Sequence, residues 1–277
     1  MEKRGGGPIR EFIAGIGLLG RGFAMYGTDT GLIVLGLVPA LIASVLLIAV
    51  LIVLVVFIGD LSSAITWFAN GWSPGPRDTV RFVAGASVIG IFALLAIITF
   101  TSLTLAIGDP FYEKISERVE RRLDARTGPA GLPPRVELPW WSEFVRGIGE
   151  SIRMVALSAL IGVPLFLAGL IPAIGQTVVP VIGALVGGWF LSVELVGIPF
   201  ARRGLRLRDR RRMLRANRPL AVGFGAAVFV CFLIPLGAIL VTPAAVAGGT
   251  MLARRVLSDP QRSGAPAAAP ERAPIGP

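Results

Sequence analysis

The sequence has no histidine and one cysteine among its 277 residues. These two residue types supply most metal ligands, imidazole bases and reactive thiols, so a zinc hydrolase, a haem protein and a Ser-His-Asp enzyme are all poorly supported. Cys231 lies in an apolar run, which is typical of a structural buried thiol, and one cysteine cannot form a disulfide within the chain. We therefore predict no catalytic residue, no metal site and no cofactor.

Charged residues are also scarce. They make up 16% of the chain, against 54% hydrophobic residues, and the mean hydropathy is +0.75. Uncharged apolar runs longer than 18 residues recur along the chain, and runs of that length cross the hydrocarbon core of a bilayer as helices. The sequence therefore predicts an all-α polytopic membrane protein, with residues 1–255 as a single membrane domain.

The apolar runs predict two full spans followed by two helical hairpins. The spans are residues 32–58 and 82–107, and the tryptophan-rich link between them is typical of a membrane face. Residues 154–199 form the first hairpin. Residues 219–253 form the second, and each of its arms has about 17 residues, or ~25 Å, which is short of a ~30 Å crossing. We therefore expect the second hairpin to be re-entrant, and leave open whether the first crosses fully.

Amphipathic segments separate these runs. Residues 1–30 repeat apolar side chains every three or four positions, which is typical of a helix lying in the membrane interface. Asp109-Pro110 is a helix-start signal, and residues 110–152 are predicted to form an amphipathic arm on the cytoplasmic side. Residues 202–218 are an Arg-rich link. The tail at 256–277 is rich in proline and alanine, and we expect it to be disordered.

The distribution of basic residues predicts the orientation in the membrane. Of 27 lysine and arginine residues, 24 lie in the two terminal segments, the arm and the Arg-rich link, whereas the link at 59–79 has one and the turn at 172–177 has none. Basic loops face the cytoplasm, so both termini are predicted to be cytoplasmic. The basic residues sit beside apolar spans, which favours the lipid bilayer and its anionic headgroups as partners over nucleic acid.

The Arg-rich link contains the largest charge cluster. Binding of lipid headgroups together with topology explains it, and the alternative is an electrostatic funnel that concentrates an anion near a pore. The members of this arginine cluster are Arg202, Arg203, Arg206, Arg208, Arg210, Arg211, Arg212, Arg215 and Arg218.

Several uncharged positions and one carboxylate are pore or structural candidates. Gly175, Gln176 and Thr177 open a helix at the first hairpin tip, and Pro235 marks the second tip. The free N–H groups at a helix start attract anions. Glu194 is the ionisable residue inside a predicted span, and it is either functional or paired structurally with an arginine such as Arg153 or Arg254.

Two glycine patterns predict close helix packing rather than chemistry. Gly15, Gly17 and Gly20 have the spacing of a dinucleotide-binding motif, but no strand precedes them. Gly183 and Gly187 form a small-residue face of the kind that lets two membrane helices approach each other.

A set of motifs spread over residues 10–255 resembles the CysZ sulfate permease family, which is grouped with etoposide-induced proteins. The motifs are Asp109-Pro110-Phe111 with Gly128, the run from Ile171 to Pro180, Trp189, Glu194, Pro199-Phe200, the Arg-rich link, Gly223-Phe224-Gly225, Ile234-Pro235 and the run from Pro243 to Thr250.

The resemblance implies a multi-pass bacterial inner-membrane protein that assembles as a homo-oligomer and brings sulfate into the cytoplasm. It also implies a sulfate site at the start of the first span, where the family has two arginines after a Gly-Leu/Ile pair. This chain has Gly31 and Leu32 followed by Ile33 and Val34, so both arginines are missing. The amides near Gly31, together with Arg21, are then the expected donors, and we expect weak or absent sulfate binding.

These observations together predict a CysZ-like permease or channel for a small anion, with sulfate as the default substrate. No ATP-binding loop is visible, so flux is expected to be passive or coupled to an ion gradient. The alternative is a non-transporting membrane scaffold or envelope-associated protein on the same fold.

Overall fold

The structure is a computed structural model that describes residues 7–128, 132, 140–172, 174–234 and 237–258. These residues contain ten α-helices and no strand, which confirms the all-α prediction. The helices are α1 (Pro8–Thr28), α2 (Thr30–Val56), α3 (Ile58–Ile65), α4 (Pro74–Thr127), α5 (Trp140–Gly169), α6 (Ile174–Leu195), α7 (Gly197–Ala201), α8 (Leu207–Ala216), α9 (Arg218–Phe232) and α10 (Gly237–Leu257). A short 3-10 helix, Trp67–Ala69, follows α3.

Five helical segments are long and apolar enough to cross a membrane, so the chain is a polytopic membrane protein. They are α2, α4, Ile152–Gly169 of α5, Gly175–Leu195 of α6, and α10. The predicted span at 32–58 overlaps α2 and the one at 82–107 lies within α4, while the predicted hairpins at 154–199 and 219–253 coincide in position with α5 followed by α6 and with α9 followed by α10. Helix α9 has 15 residues, or ~22 Å, and is the short arm of its pair.

Two predicted helix boundaries are wrong. Pro110 lies inside the 54-residue helix α4 and does not begin a new helix. A proline removes one N–H donor, and long helical segments on both sides tolerate that loss because helix propagation is cooperative. The predicted division between the arm and the first hairpin near residue 152 is also absent, because α5 runs unbroken from Trp140 to Gly169.

The chain divides into two compact units. The second unit, Ile33–Tyr112, holds most of α2, all of α3 and the first part of α4. Within it, a Cβ atom added at Gly85 would lie 3.6 Å from Ile58 and 3.8 Å from Ser62, which is ordinary van der Waals contact. Arg81 donates a hydrogen bond to Asn70 at 3.0 Å. Many large apolar side chains of this unit are exposed, as expected for helices that face lipid.

The first unit contains the residues up to Leu32 and those from Glu113 onward, and its core forms where α1, α6 and α10 pack with α9 or with one another. Glycine makes the closest of these approaches possible. Gly15 of α1 faces the backbone of Leu220, and Gly223 of α9 faces the backbone of Phe12, so a side chain at either position would collide with a main chain. The prediction that glycines in α1 serve packing is confirmed at Gly15, whereas Gly17 has open space around it.

The two faces of α1 have different surroundings. Gly15, Leu18, Leu19 and Gly22 are buried, whereas Ile9, Ile13, Ile16 and Phe23 are exposed, so Leu19 of the predicted apolar repeat faces the core and Ile16 and Phe23 face outward. An outward apolar face is what a helix at a membrane interface needs, and that location stays a prediction.

The end of α4 is held against the rest of the first unit by polar contacts. Thr250 of α10 donates to Ser116 at 2.9 Å, and Arg254 donates to Asp124 at 2.7 Å. Gly128, with a φ of +75°, ends the helix, and its carbonyl accepts a hydrogen bond from Arg254 at 2.7 Å. The predicted amphipathic arm is therefore a packed part of the unit over residues 113–128.

Candidate anion site

Asp29 caps the start of helix α2. Its Oδ1 accepts a hydrogen bond from the N–H of Gly31 at 2.9 Å, and its carbonyl oxygen accepts one from the N–H of Leu32 at 2.9 Å. Aspartate is a preferred N-cap because its side chain satisfies an amide that has no partner within the helix. The amides at a helix start also carry partial positive charge, so this end of α2 favours an anion.

Two arginines of α4 pair with the same carboxylate. Oδ2 of Asp29 lies 3.0 Å from Nε of Arg118 and 3.4 Å from Nη1 of Arg122. Burial of the Asp29 carboxyl opposes its ionisation, but hydrogen bonds from Arg118 and Gly31 and the charges of both arginines outweigh burial. The pKa of Asp29 is therefore held below its ordinary value, and Asp29 is ionised at neutral pH.

A cavity of about 370 Å³ opens beside this cluster. It is lined by Asp29, Arg118, Arg121, Arg122 and Ala125. The four α4 residues recur at spacings of three and four, so they share one face of that helix. Arg121 is exposed, and no ion pair joins it to any residue that the structure describes. The cavity therefore presents three guanidinium groups against one carboxylate. We call this group of residues the α2–α4 site.

Gly31 lets the guanidinium of Arg118 come close to the start of α2. A Cβ atom added at Gly31 would lie 2.5 Å from Cζ of Arg118, which is closer than real side-chain atoms approach. Any larger residue would displace the guanidinium from the helix start. Guanidinium groups are thus brought beside the start of α2, where the N–H groups of Gly31 and Leu32 already bond to Asp29. The guanidinium groups are the donors that suit a doubly charged oxyanion.

The three residues predicted for substrate binding have different positions in the structure. Gly31 belongs to the α2–α4 site. Leu32 is fully buried and contributes only its backbone. Arg21 is exposed, bonds to the carbonyl of Gly17 in its own helix at 3.4 Å, and does not line the cavity. The expectation that only amides and Arg21 serve the start of the first span is therefore corrected, because α4 supplies Arg118 and Arg122 there.

Arg118, Arg121 and Arg122 lie within residues 110–152, which the sequence predicts to form an amphipathic arm. Their spacing predicts a shared helix face correctly, but it does not predict what that face meets. Asp29 precedes Arg118 by 89 residues, and a contact at that separation follows only from the folded chain.

The candidates at the hairpin tips are less available for an anion than predicted. The N–H of Gly175 donates to the carbonyl of Ile171 at 2.8 Å, so this amide already has a partner. Gln176 and Thr177 are exposed in the first turn of α6. Pro235 lies outside the described residues. Helix α6 does begin at the first tip, at Ile174, as predicted.

Glu194 lies in the last turn of α6 and is exposed. Of its two predicted partners, Arg254 instead bonds to Asp124 at 2.7 Å and to the hydroxyl of Thr127 at 3.0 Å. The structure therefore does not pair Glu194 with Arg254.

The predicted arginine cluster divides into a structural part and an open part. Arg203 is buried and lies 2.9 Å from the buried carboxylate of Glu120, and Arg202 lies 3.6 Å from the same carboxylate. Breaking such a buried pair typically costs about 3–5 kcal/mol, so these two arginines hold α4 to the segment after α7. Arg206 is the N-cap of α8, where its N–H donates to Asp209 at 3.0 Å.

The open part of the cluster lines a second cavity, of about 560 Å³. Its arginines are Arg208, Arg211, Arg212 and Arg215 of α8, joined by Arg153 of α5. Arg210 lies near Gly197, and Arg218 begins α9. In the part of the chain that the structure describes, no group of three or more acidic or cysteine side chains is placed to hold a metal ion.

Comparison with protein families gives one match that covers most of the chain. The profile of the family described as "Sulfate transporter CysZ/Etoposide-induced protein 2.4" matches residues 18–243. The matched segment includes the α2–α4 site and the arginine-lined cavity of α5 and α8.

Curated relatives carry the same description. A protein of Vibrio cholerae named "Sulfate transporter CysZ" is 27% identical over 203 residues, which are 71% of this chain and 72% of the relative. Proteins with that name from Pectobacterium atrosepticum and Vibrio parahaemolyticus are 28% identical over 166 residues and 31% identical over 160 residues. The first alignment covers 59% of both chains, and the second covers 55% of this chain and 60% of the relative.

Proposed function

The chain belongs to the sulfate transporter CysZ/etoposide-induced protein 2.4 family, and from this premise we propose that it is a permease or channel that carries sulfate into the bacterial cytoplasm. The observation that carries the proposal is the α2–α4 site. There Arg118, Arg121 and Arg122 meet the start of α2, although α2 itself lacks arginines at Ile33 and Val34. The positive charge that a sulfate site needs is thus supplied from a different helix.

Arg121 is the group best placed to receive the incoming anion, because it is exposed and has no ion pair among the described residues. Charge-assisted hydrogen bonds replace part of the hydration shell that a doubly charged anion loses on binding. Arg118 and Arg122 then divide their donors between sulfate and the Asp29 carboxylate.

The negative charge of Asp29 lowers the affinity of the site for an anion below that of three arginines without a carboxylate. A transport site must bind its ion well enough for the ion to enter and weakly enough for it to leave. An ionised carboxylate beside the anion supplies that weakening. This role for Asp29 explains why a cationic site holds an acidic residue at its centre.

We further propose that transport needs no covalent chemistry and follows a gradient of sulfate or of a coupled ion. The proposed location is the inner membrane, with both termini and the arginine cluster in the cytoplasm, as the distribution of basic residues supports. The second hairpin is proposed to enter the bilayer only partly, because ~22 Å of α9 is shorter than a ~30 Å core. A homo-oligomer is proposed on the resemblance to the family.

Uptake of radiolabelled sulfate into proteoliposomes tests the proposed function. Purified protein in vesicles is expected to accumulate label faster than protein-free vesicles, and excess unlabelled sulfate, but not chloride, is expected to suppress the uptake. Equal rates with and without protein would favour the non-transporting scaffold, in which the Asp29 pairs only hold helices together.

A further inference from the structure

Helix α8 carries four arginines on the side that faces away from its buried apolar residues. Arg208, Arg211, Arg212 and Arg215 have spacings of three, one and three, so they lie on one side of the helix. The opposite side is anchored by the buried residues Leu207, Met213 and Leu214. Like charges at these spacings repel each other, so the arginine face destabilises α8 unless an anion neutralises it.

A fifth arginine comes to this face from another helix. Arg153 of α5 lines the same cavity of about 560 Å³, whose volume lies in the range of small-molecule sites. Among the described residues that line the cavity, the carboxylate is that of Asp209, and it already accepts a hydrogen bond from the N–H of Arg206 at 3.0 Å. In the described lining, five guanidinium groups therefore face one carboxylate, which also caps α8. We call this the α5–α8 cavity.

Arg211 has a buried guanidinium nitrogen and lies close to other positive charges. Burial, followed by the charges of Arg153 and Arg215, lowers the pKa of its guanidinium. Its Nε is buried without a hydrogen-bond partner, and one Nη donates to the thioether of Met154 at 3.5 Å, which is a weak acceptor. A buried charged donor without a good acceptor is costly, and an anionic ligand removes that cost.

The neighbouring arginines Arg202 and Arg203 donate hydrogen bonds to oxygen acceptors of the protein. Arg203 donates to the carboxylate of Glu120 and to the carbonyl of Pro199, and Arg202 donates to the carbonyl of Glu113. Each of the three arginines has a buried nitrogen without a hydrogen-bond partner, namely Nη1 of Arg202, Nε of Arg203 and Nε of Arg211. Among the described residues, Arg211 differs in that its acceptor is the thioether of Met154 and not a carboxylate or carbonyl oxygen. The arginines of the α5–α8 cavity therefore serve a different purpose from the structural pair.

We propose that the α5–α8 cavity is a binding site for a phosphate-bearing anion, separate from the sulfate site. The two cavities share no lining residue. Arginine suits phosphate because its planar group forms two parallel hydrogen bonds to two phosphate oxygens. The excess of four positive charges over the lining carboxylate matches a ligand with two phosphate groups better than a single monovalent anion.

Such a ligand has two possible sources, which share the same chemistry. One is a diphosphate lipid headgroup such as that of cardiolipin, and the other is a soluble polyphosphate anion. The α5–α8 cavity recognises the phosphate groups in either case.

Calorimetric titration with inorganic pyrophosphate tests the proposal, using the full chain in phosphatidylcholine nanodiscs. The wild type is expected to bind. Arg211→Gln is expected to weaken binding about tenfold or more, because charge-assisted hydrogen bonds are lost. Arg215→Gln changes an exposed arginine, so the variant is expected to fold normally. It is expected to weaken pyrophosphate binding several-fold. Arg218→Gln, outside the cavity, is the matched control and is expected to bind within twofold of the wild type.

The lipid arm repeats the wild-type titration in nanodiscs that contain cardiolipin. Weaker apparent pyrophosphate binding there identifies the headgroup as the natural source, and unchanged binding identifies a soluble anion. No binding by the wild type, or equal binding by all four proteins, would overturn the proposal. Sulfate uptake by Arg215→Gln is expected to equal that of the wild type, so this site and the transport site are tested separately.

Discussion

Asp29 is the residue on which the α2–α4 site is organised. It caps α2 through the N–H of Gly31 and pairs with Arg118 and Arg122 at 3.0 and 3.4 Å. No local pattern predicts this role, because an aspartate before a helix indicates only a cap. The pairing with arginines about ninety positions away depends on the packing of the whole first unit.

The lowered pKa of Asp29 predicts how its contribution to stability depends on pH. A carboxyl whose pKa is lower in the folded state stabilises that state above its unfolded pKa of about 3.9, and the stabilisation is lost as the pH falls through the folded value. Asp29→Asn keeps the cap but removes the charge. The variant is expected to unfold at a lower temperature than the wild type from pH 8 to pH 5.

The difference in unfolding temperature between these two proteins is expected to shrink below pH 4, measured by thermal unfolding in detergent. A difference that grows on acidification would contradict the assigned cause. Asp29→Ala, which loses both the cap and the charge, is the matched comparison and is expected to stay less stable than the wild type at every pH.

At the scale of elements, apolar run lengths indicate where long apolar helices lie, because bilayer thickness sets the length of a span, but they do not give the helix ends. Helix α4 begins eight residues before and ends twenty residues after the predicted span at 82–107. The prediction for residues 32–58 differs from α2 by two residues at each end. Boundaries taken from single residues were less reliable: Pro110 lies inside α4, where the signal alone predicted a start. Proline is tolerated in membrane helices, so its position in an apolar chain is weaker information than in a soluble one.

Glycine spacing predicted that α6 packs closely, but not which glycine meets a backbone. Gly183 would place a Cβ 3.7 Å from the side chain of Leu165, which is ordinary contact. A Cβ at Gly188 would collide with the main chain of Gly225 and Ala226 in α9. The backbone approach therefore lies one residue beyond Gly187, the second glycine of the predicted pair, where an added Cβ would lie 2.5 Å from the side chain of Phe229.

The two glycines provide a matched pair of variants. Gly188→Ala is expected to destabilise the protein by about 1–3 kcal/mol or more, because α6 and α9 must separate. Gly183→Ala is expected to be neutral or stabilising by about 0.5–1 kcal/mol, since alanine favours a helix and has room. Thermal unfolding in detergent compares them. An equal loss of stability in both variants would show that α6 and α9 do not approach each other at Gly188.

At the scale of the whole molecule, fold class and family were predictable from the sequence because both depend on composition and contiguous motifs. The ion pairs between distant residues could not be predicted from the sequence. Arg203 with Glu120 and Arg254 with Asp124 join segments far apart in the chain, and opposite charges in a basic protein have many possible partners. Glu194 illustrates this, because the partner predicted for it, Arg254, bonds elsewhere.

The proposed orientation predicts the accessibility of introduced cysteines. In a Cys231→Ser background, a cysteine at Arg212 is expected to react with a membrane-impermeant maleimide only after the cells are opened. A cysteine at Ile234, an exposed residue at the tip of the second hairpin, is expected to react poorly from outside if penetration is partial. Labelling of Arg212→Cys in intact cells would contradict the cytoplasmic placement, and full external labelling of Ile234→Cys would show a complete crossing.

The most direct test of the central claim is sulfate uptake by proteoliposomes that carry Arg121→Gln. This change removes the guanidinium of the α2–α4 site that has no ion pair among the described residues, and it leaves both Asp29 ion pairs in place. Uptake at limiting sulfate is expected to fall about tenfold, while Arg126→Gln, one turn further along α4 and outside the cavity, is expected to match the wild type. Wild-type uptake by Arg121→Gln would contradict sulfate recognition by the arginines of α4.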